Sequence, residues 1–228
     1  MKSKQNDYKR IALIGLDGSG KSANLDLMKK DEFYKDYEFV WVRWKPCLLR
    51  PFYGIVNRKI KKKVIIQHSS NAEDSKEYEY EAKKSLKGKI FRNTIVCRIW
   101  MFLALIDYLF QFYRKTGRLL LNRKNIVFDR FYLDLFVDQG ISFGYSPSKI
   151  VKQIQKYKHF FPNITQFIYI RVAPEICYSR KDDIPGMDYL QKRFEIYELL
   201  SHNSEWILID GEQELKKVNE TIKQCLRE

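Results

Sequence analysis

Short, unbroken apolar runs in this chain alternate with longer stretches in which apolar residues recur every three or four positions. The first rhythm predicts buried strands and the second predicts helices with one face in a core. "RIALIG" ends in glycine and reads as a buried parallel strand, and "SANLDLMKK" follows it as a helix. "YEFVWVRW", β-branched and aromatic, reads as a second strand, "NIVFD" as a third, "TQFIYIRV" as a fourth and "EWILID" as the last. A long apolar helix is predicted over residues 90 to 115, stopping near Gly117, with a short helix between it and "NIVFD". "SPSKIVKQIQKYKHF" reads as a helix opened by Ser146 or Ser148. Pro174 suits the first turn of the helix "PEICYSRK", and "DYLQKRFEIYELL" is another helix. In the last helix Leu215, Val218, Ile222 and Leu226 fall on one face.

Strands alternating with helices argue for an open parallel sheet covered on both sides. The 228 residues suit one such domain, 1–228, with no internal linker. Residues 46 to 68 are irregular and basic, with Pro46, Pro51 and Gly54 ahead of "NRKIKKK". The densely charged stretch "NAEDSKEYEYEAKKSLKGK" reads as a solvated helix or a loop. The basic segment within about 46–90 is therefore expected to be an insertion or acceptor-side segment, not a domain boundary.

Charge changes the picture next. Lys and Arg number 42 against 28 Asp and Glu, a formal net charge of +14. That excess favours polyanionic partners: nucleotides, nucleic acid or an acidic membrane face. The four cysteines, Cys47, Cys97, Cys177 and Cys225, form no C-x-x-C pair, and with three histidines no zinc pattern arises. They are expected to be reduced, mostly buried thiols in a cytoplasmic protein. "MKSKQNDYKR" is charged and has no signal-peptide core. The most apolar stretch, residues 99 to 113, is short for a bilayer and contains Asp107 and Gln111. It reads as a core helix with a self-association face, and so as no membrane span.

The chemistry lies in "GLDGSGKS", residues 15 to 22, directly after the first strand. Gly15, Gly20, Lys21 and Ser22 satisfy G-x-x-x-x-G-K-[ST] in the strand–loop–helix context that motif needs. Glycines let the backbone curl until several N–H groups face one anion, and the helix N-terminus adds partial positive charge. Lys21 is placed to reach the β- and γ-phosphates and the Ser22 hydroxyl to hold Mg²⁺. The loop is read as a triphosphate cradle. "NIVFD" delivers Asp129, a candidate partner for Mg²⁺ or its water, to the carboxyl edge of the sheet, and Arg130 follows. A guanine-reading N-K-x-D is absent ("NRKN" at 122 to 125 lacks the acid), which argues against a GTPase switch.

"GLDGSGKS", "VFDRFYLDLFVDQG" and "APEICYSRK" followed by "QKRFEIYELL" resemble the thymidylate kinase family, in that family's order and across nearly the whole chain. They also resemble a divergent thymidylate kinase-like branch that turns up beside surface-polysaccharide genes. The resemblance implies a P-loop three-layer α/β/α fold with five parallel strands. It further implies ATP with Mg²⁺ and phosphoryl transfer to a nucleoside monophosphate. It implies that Gly15, Gly18, Ser19, Gly20, Lys21, Ser22 and Lys181 hold ATP, and that Ser22 and Asp129 attend Mg²⁺. Asp17, Lys21, Arg130 and Arg180 would carry catalysis, with Arg180 and Lys181 closing from a lid at about 180–188. Arg43 and Arg130 would grip the acceptor phosphate, and Arg193 is a further lid candidate. A dimer is also implied.

Three positions depart from the family. The base-reading Phe-x-x-x-Arg aligns with Ala104 and Tyr108; the proline–glycine pair after the second strand is "WKPCLL"; and Asp134 replaces a serine. An acid at 134 can accept hydrogen bonds from hydroxyls or an amine and repels phosphate. These departures favour a small phosphorylated or hydroxylated acceptor, including a sugar-linked metabolite, over thymidylate. Two other classes compete. Trp41, Trp44 and Phe52 among Arg43, Lys45 and Arg50 could stack single-stranded nucleic acid, which a packing role for the same residues disfavours. A nucleotide-binding protein without catalysis sits poorly with the intact Asp17, Lys21, Asp129 and Arg130. "RKIKKK" at 58 to 63 reads as a solvated face, with a membrane-surface role as the alternative. His68, His159 and His202 show no catalytic spacing, and the adenine contacts are expected from the lid and the "DGEQE" loop.

Overall fold

The computed structural model describes residues 8–51, 91–184 and 186–227. The expectations attached to Phe52, the run at 58–63, His68 and the charged stretch at 71–89 lie outside them. Five strands, β1 (Arg10–Gly15), β2 (Tyr37–Trp41), β3 (Asn125–Asp129), β4 (Gln166–Arg171) and β5 (Trp206–Asp210), form one sheet in the order β2-β3-β1-β4-β5. Every neighbouring pair is parallel. The α/β class and the strand count follow the reading of the sequence. Central β1 is buried from Ile11 to Gly15, as its unbroken apolar run requires, whereas edge strand β2 is only half-buried. β2 stops at Trp41, three residues before the predicted end, which leaves Arg43 on the loop beyond it.

The α-helices whose full extent lies among the described residues are α1 (Lys21–Met28), α2 (Thr94–Leu121), α3 (Tyr132–Ser142), α4 (Pro147–Tyr157), α5 (Pro174–Ser179), α6 (Met187–Ser201) and α7 (Leu215–Arg227). α1 packs on α7, with Asn219 Nδ2 donating to the Asn24 carbonyl at 3.1 Å, while α3, α4, α5 and α6 pack on one another. Of the face expected to be buried on α7, Val218, Ile222 and Leu226 are in the core and Leu215 is exposed. Ser146 rather than Ser148 caps α4, with Pro147 in its first turn.

α2 corrects two expectations. It does not stop at Gly117, and no separate short helix follows; one helix of 28 residues runs through to Leu121. A mid-helix glycine costs only about 1 kcal/mol, too little to end a helix already packed along its length. The stop is a turn with Arg123 in the left-handed region (φ 52). There Arg123 N–H donates to Leu120 O and Lys124 N–H to Leu119 O. The helix also outruns the apolar stretch that predicts it: by length and composition alone it could cross a bilayer, a test that core helices also pass. Cys97, Met101, Leu105, Tyr108 and Phe112 pack it on the core, while Ile99, Phe102, Ile106 and Phe110 stay exposed. Ala104 and Tyr108, aligned with the family's base-reading positions, are buried in that core, with Tyr108 against Phe112 and Phe161.

Asp107 is the one buried carboxylate described on α2. It accepts from the backbone N–H groups of Cys47 (2.9 Å) and Leu48 (3.1 Å), from Trp44 Nε1 (3.3 Å) and from Gln111 Nε2 (3.0 Å). The polar pair that interrupts the apolar helix thus pins the chain after β2, and that chain carries Arg43.

At Gly140 on α3, an added Cβ would lie 2.5 Å from Ile150 Cγ1 of α4, and Ile150 is fully buried. Gly140→Ala gains helix propensity but overpacks this contact, a net destabilisation of about 1–2 kcal/mol. Denaturant unfolding measures it, and a variant as stable as the parent would contradict it.

Candidate functional site

The carboxyl ends of all five strands face one edge of the sheet, where Leu13 pairs with Asp129, Trp41 with Asp129 and Gly15 with Ile170. This register collects what the sequence scatters between Asp17 and Lys181. A cleft of about 480 Å³ opens there, lined by Asp17, Gly18, Gly20, Lys21, Ser22, Trp41, Arg43, Asp129, Arg130, Arg180 and Lys181. Ten of these eleven are residues singled out from the sequence as candidate site residues, and Trp41 is the addition. Of the remaining candidates, Gly15 and Ser19 form the buried base of the loop, while Asp134 and Arg193 are buried beside the cleft.

The loop fits a polyphosphate. Gly18 (φ 89) and Gly20 (φ 84) adopt left-handed backbone that L side chains avoid. A Cβ on Gly18 would also lie 2.4 Å from the Cys177 carbonyl oxygen. α1 has no side-chain cap, so the N–H groups of its first turn are left for an anion. Lys21 Nζ is buried and donates to the carbonyls of Gly15 (2.9 Å) and Leu16. Ser22 is exposed at the mouth and Asp129 half-buried across from it. No cluster of three or more His, Cys, Asp or Glu that could hold a metal occurs among the described residues. A magnesium ion here would therefore be held by Ser22, Asp129 and phosphate oxygens, which is how that ion is usually bound. It would neutralise charge on the phosphates.

Beside the loop lies a chain of ion pairs. Arg130 sits in the left-handed region (φ 65), costly for a non-glycine residue. It is fixed there by Asp17 at one terminal nitrogen and by Asp134 at the other, the latter at 2.8 Å. Asp134 also accepts from Tyr197 Oη at 2.5 Å and lies 3.9 Å from Arg193. Arg193 in turn pairs with Asp138, which lies 4.0 Å from Arg43. Tyr189 Oη donates to Asp17 at 3.0 Å. The sequence reading missed Asp138, Tyr189 and Tyr197. Tyr189, Arg193 and Tyr197 recur every four residues on α6, so a polar stripe at helical spacing was there to be found.

The electrostatics follow this wiring. Burial pushes the Asp17 carboxyl up, but Arg130, Lys21 and Arg193 outweigh it and hold it well below the usual range. Asp134 is likewise held low against its burial by Arg130 and Arg193. Burial raises Asp129, and Arg130 and Lys21 only partly offset it. Lys21 is brought down to about 8, first by burial and then by Arg130. Phosphate groups beside Lys21 favour its ammonium form and raise this value. Affinity for a nucleoside triphosphate is therefore expected to be level below pH about 8 and to fall above it, with a proton taken up on binding. Calorimetry at pH about 8.5 in buffers of different ionisation enthalpy reads that proton. No uptake, with an unchanged affinity, would contradict it.

Arg180 and Lys181 are exposed, Lys181 pairing with Asp183 at 3.0 Å and Arg180 reaching toward the Gly211 carbonyl at 3.4 Å. The "DGEQE" loop thus lies beside them, with Glu212 accepting from Ala173 N–H at 2.9 Å. Trp44 is tied to Asp107 rather than displayed for stacking, although Trp41 is exposed with Lys45 and Lys115 near its ring. His159 and His202 are exposed, away from the cleft.

No protein-family model matches the chain, and no curated protein matches it. Solved structures do. A deoxyadenosine kinase from M. mycoides with bound dATP matches at a TM-score of 0.54 and 18% identity, over 96% of this chain and 99% of that one. The same kinase with products dCMP and a flexible dCDP bound gives 0.50 at 18% identity, over 95% and 98%. At that identity the likeness establishes the fold, which this chain shares with a deoxyadenosine kinase along nearly its whole length.

Proposed function

We propose that this protein is an ATP-dependent, P-loop phosphotransferase of the thymidylate kinase-like type. It moves the γ-phosphoryl group of ATP to a small nucleoside-like or sugar-linked acceptor. The observation that carries this reading is the single cleft in which a glycine cradle, Lys21, Ser22 and Asp129 adjoin Arg43, Arg130, Arg180 and Lys181. Phosphoryl transfer asks for alignment and positive charge around the moving group and for little covalent chemistry. In this reading Gly15, Gly18, Ser19 and Gly20 shape the cradle, Lys21 holds the outer phosphates, and Ser22 and Asp129 attend Mg²⁺. Arg180 and Lys181, exposed at the rim, exclude water when they fold over the transferring group. Arg43, Arg130 and Asp134 make the acceptor side. The deoxyadenosine kinase of the same fold supports a nucleoside-like acceptor.

The test is a thermal-shift screen with Mg·ATP alone and with nucleosides, nucleoside monophosphates and sugar phosphates, followed by turnover on each hit. Stabilisation by Mg·ATP with acceptor-dependent ADP release is expected. Tight ATP binding without turnover on any acceptor would favour a non-catalytic nucleotide-binding protein. No ATP binding would sink the reading.

A further inference from the structure

In kinases that phosphorylate a phosphate, an arginine must offer an open fork to the incoming anion. Of the two arginines on the acceptor side of the cleft, Arg43 already has a carboxylate of its own, Asp138, 4.0 Å away, and Arg130 has no open fork. One terminal nitrogen is paired with Asp17, the other with Asp134 at 2.8 Å. Asp134 cannot swing into water, because only 4% of its side chain is exposed and Tyr197 Oη holds its other oxygen at 2.5 Å. Nor can Arg193 stand in, since it is buried between Asp134 and Asp138. A phosphate entering here would have to take Arg130 from Asp17 and then sit beside a freed carboxylate, carrying about −1.5 to −2 charges of its own. A hydroxyl meets no such cost. Asp17 reaches the cleft, accepts from Arg130 and Tyr189, and keeps lone pairs for one more donor.

Resting on the kinase reading above, we propose that Asp134 commits this site to an uncharged acceptor, so that the group phosphorylated is a hydroxyl seated against Asp17. Asp134 acts through Arg130 and is a positioning residue that sets specificity. A lone pair of the acceptor hydroxyl forms the new bond to the γ-phosphorus. The bond from that phosphorus to the β–γ bridging oxygen breaks, and its electron pair leaves on ADP. Asp17 orients the hydroxyl, and its proton passes to an oxygen of the transferred phosphoryl group and from there to water.

The probe is inorganic phosphate, titrated calorimetrically into the full chain already saturated with Mg²⁺ and a non-hydrolysable ATP analogue. The parent protein should bind it no tighter than about 1 mM. Asp134→Ser should bind it at least ten-fold tighter, because Arg130 regains an open nitrogen, and Asp134→Glu should behave as the parent. A role for Asp134 in stability alone produces no such gain. Parent binding tighter than about 1 mM, or no gain in Asp134→Ser, overturns the inference. If Asp134→Ser does not fold, the parent titration decides. Failure of the analogue itself to bind removes the kinase reading and this inference together, whereas analogue binding with tight phosphate binding removes this inference alone.

Discussion

Lys21→Ala is expected to slow phosphoryl transfer by about 10²–10³-fold, the usual loss when one preorganised donor to a developing negative charge is removed. The structure adds a reason for so large an effect. The ammonium group is buried at the base of the loop, where it donates to the carbonyls of Gly15 and Leu16. It is thus positioned before any nucleotide arrives, and its replacement removes both the charge and a strut that holds the cradle's shape. The two carbonyls left without this donor should cost about 1–3 kcal/mol of stability as well. Lys21→Arg should fare little better, since a planar fork does not fit where a compact ammonium group bridges two carbonyl oxygens. Steady-state turnover with Mg·ATP and any acceptor from the screen provides the measurement. A Lys21→Ala protein within ten-fold of its parent would contradict the assignment of the loop.

The parts of this site that the sequence displayed are those set by local geometry. Gly15, Gly20, Lys21 and Ser22 lie within eight positions, because one loop makes the whole cradle. Asp129 and Arg130 were legible because the apolar triplet inside "NIVFD" reads as a short buried strand, whose last residue then sits at the sheet edge. What stayed hidden was pairing between distant elements. Nothing along the chain says that Tyr189 reaches Asp17 or that Tyr197 and Arg193 close on Asp134, since these contacts depend on how α6 docks against the loop after β1 and against α3. Likewise Asp107 looked like an interruption of an apolar helix, and only the fold shows it holding the chain between Trp44 and Leu48. The end of α2 was misread for a related reason: propensity pointed to Gly117, but continued packing carried the helix to a left-handed Arg123.

Arg130→Ala should do the greatest damage to the fold itself. Its guanidinium lies between Asp17 and Asp134, whose side chains are 13% and 4% exposed. Removing one member of a buried ion cluster leaves uncompensated charge and typically costs about 3–5 kcal/mol. Tyr197 still donates to Asp134 and Tyr189 to Asp17, which argues for the lower end of that range. The pH dependence separates this cause from simple loss of packing. In the parent both carboxyls are held below their ordinary values. They therefore contribute stability above the unfolded pKa of about 4, which is lost as pH falls through the folded values. Without Arg130, Asp134 keeps its burial and loses its strongest lowering partner, with Arg193 and Tyr197 left, so its folded pKa moves up and the variant loses stability that the parent has above pH about 4. The gap between the two proteins should be widest near pH 7 and narrow toward pH about 3, as carboxyls of the unfolded chain take up protons. Adding Asp134→Asn should recover part of the loss, because the orphaned charge is then gone. Denaturant titrations of the four proteins at the two pH values complete the cycle. A deficit independent of pH and untouched by Asp134→Asn would mean that Arg130 serves as packing alone, and that the ion pairs around it do not hold the site in shape.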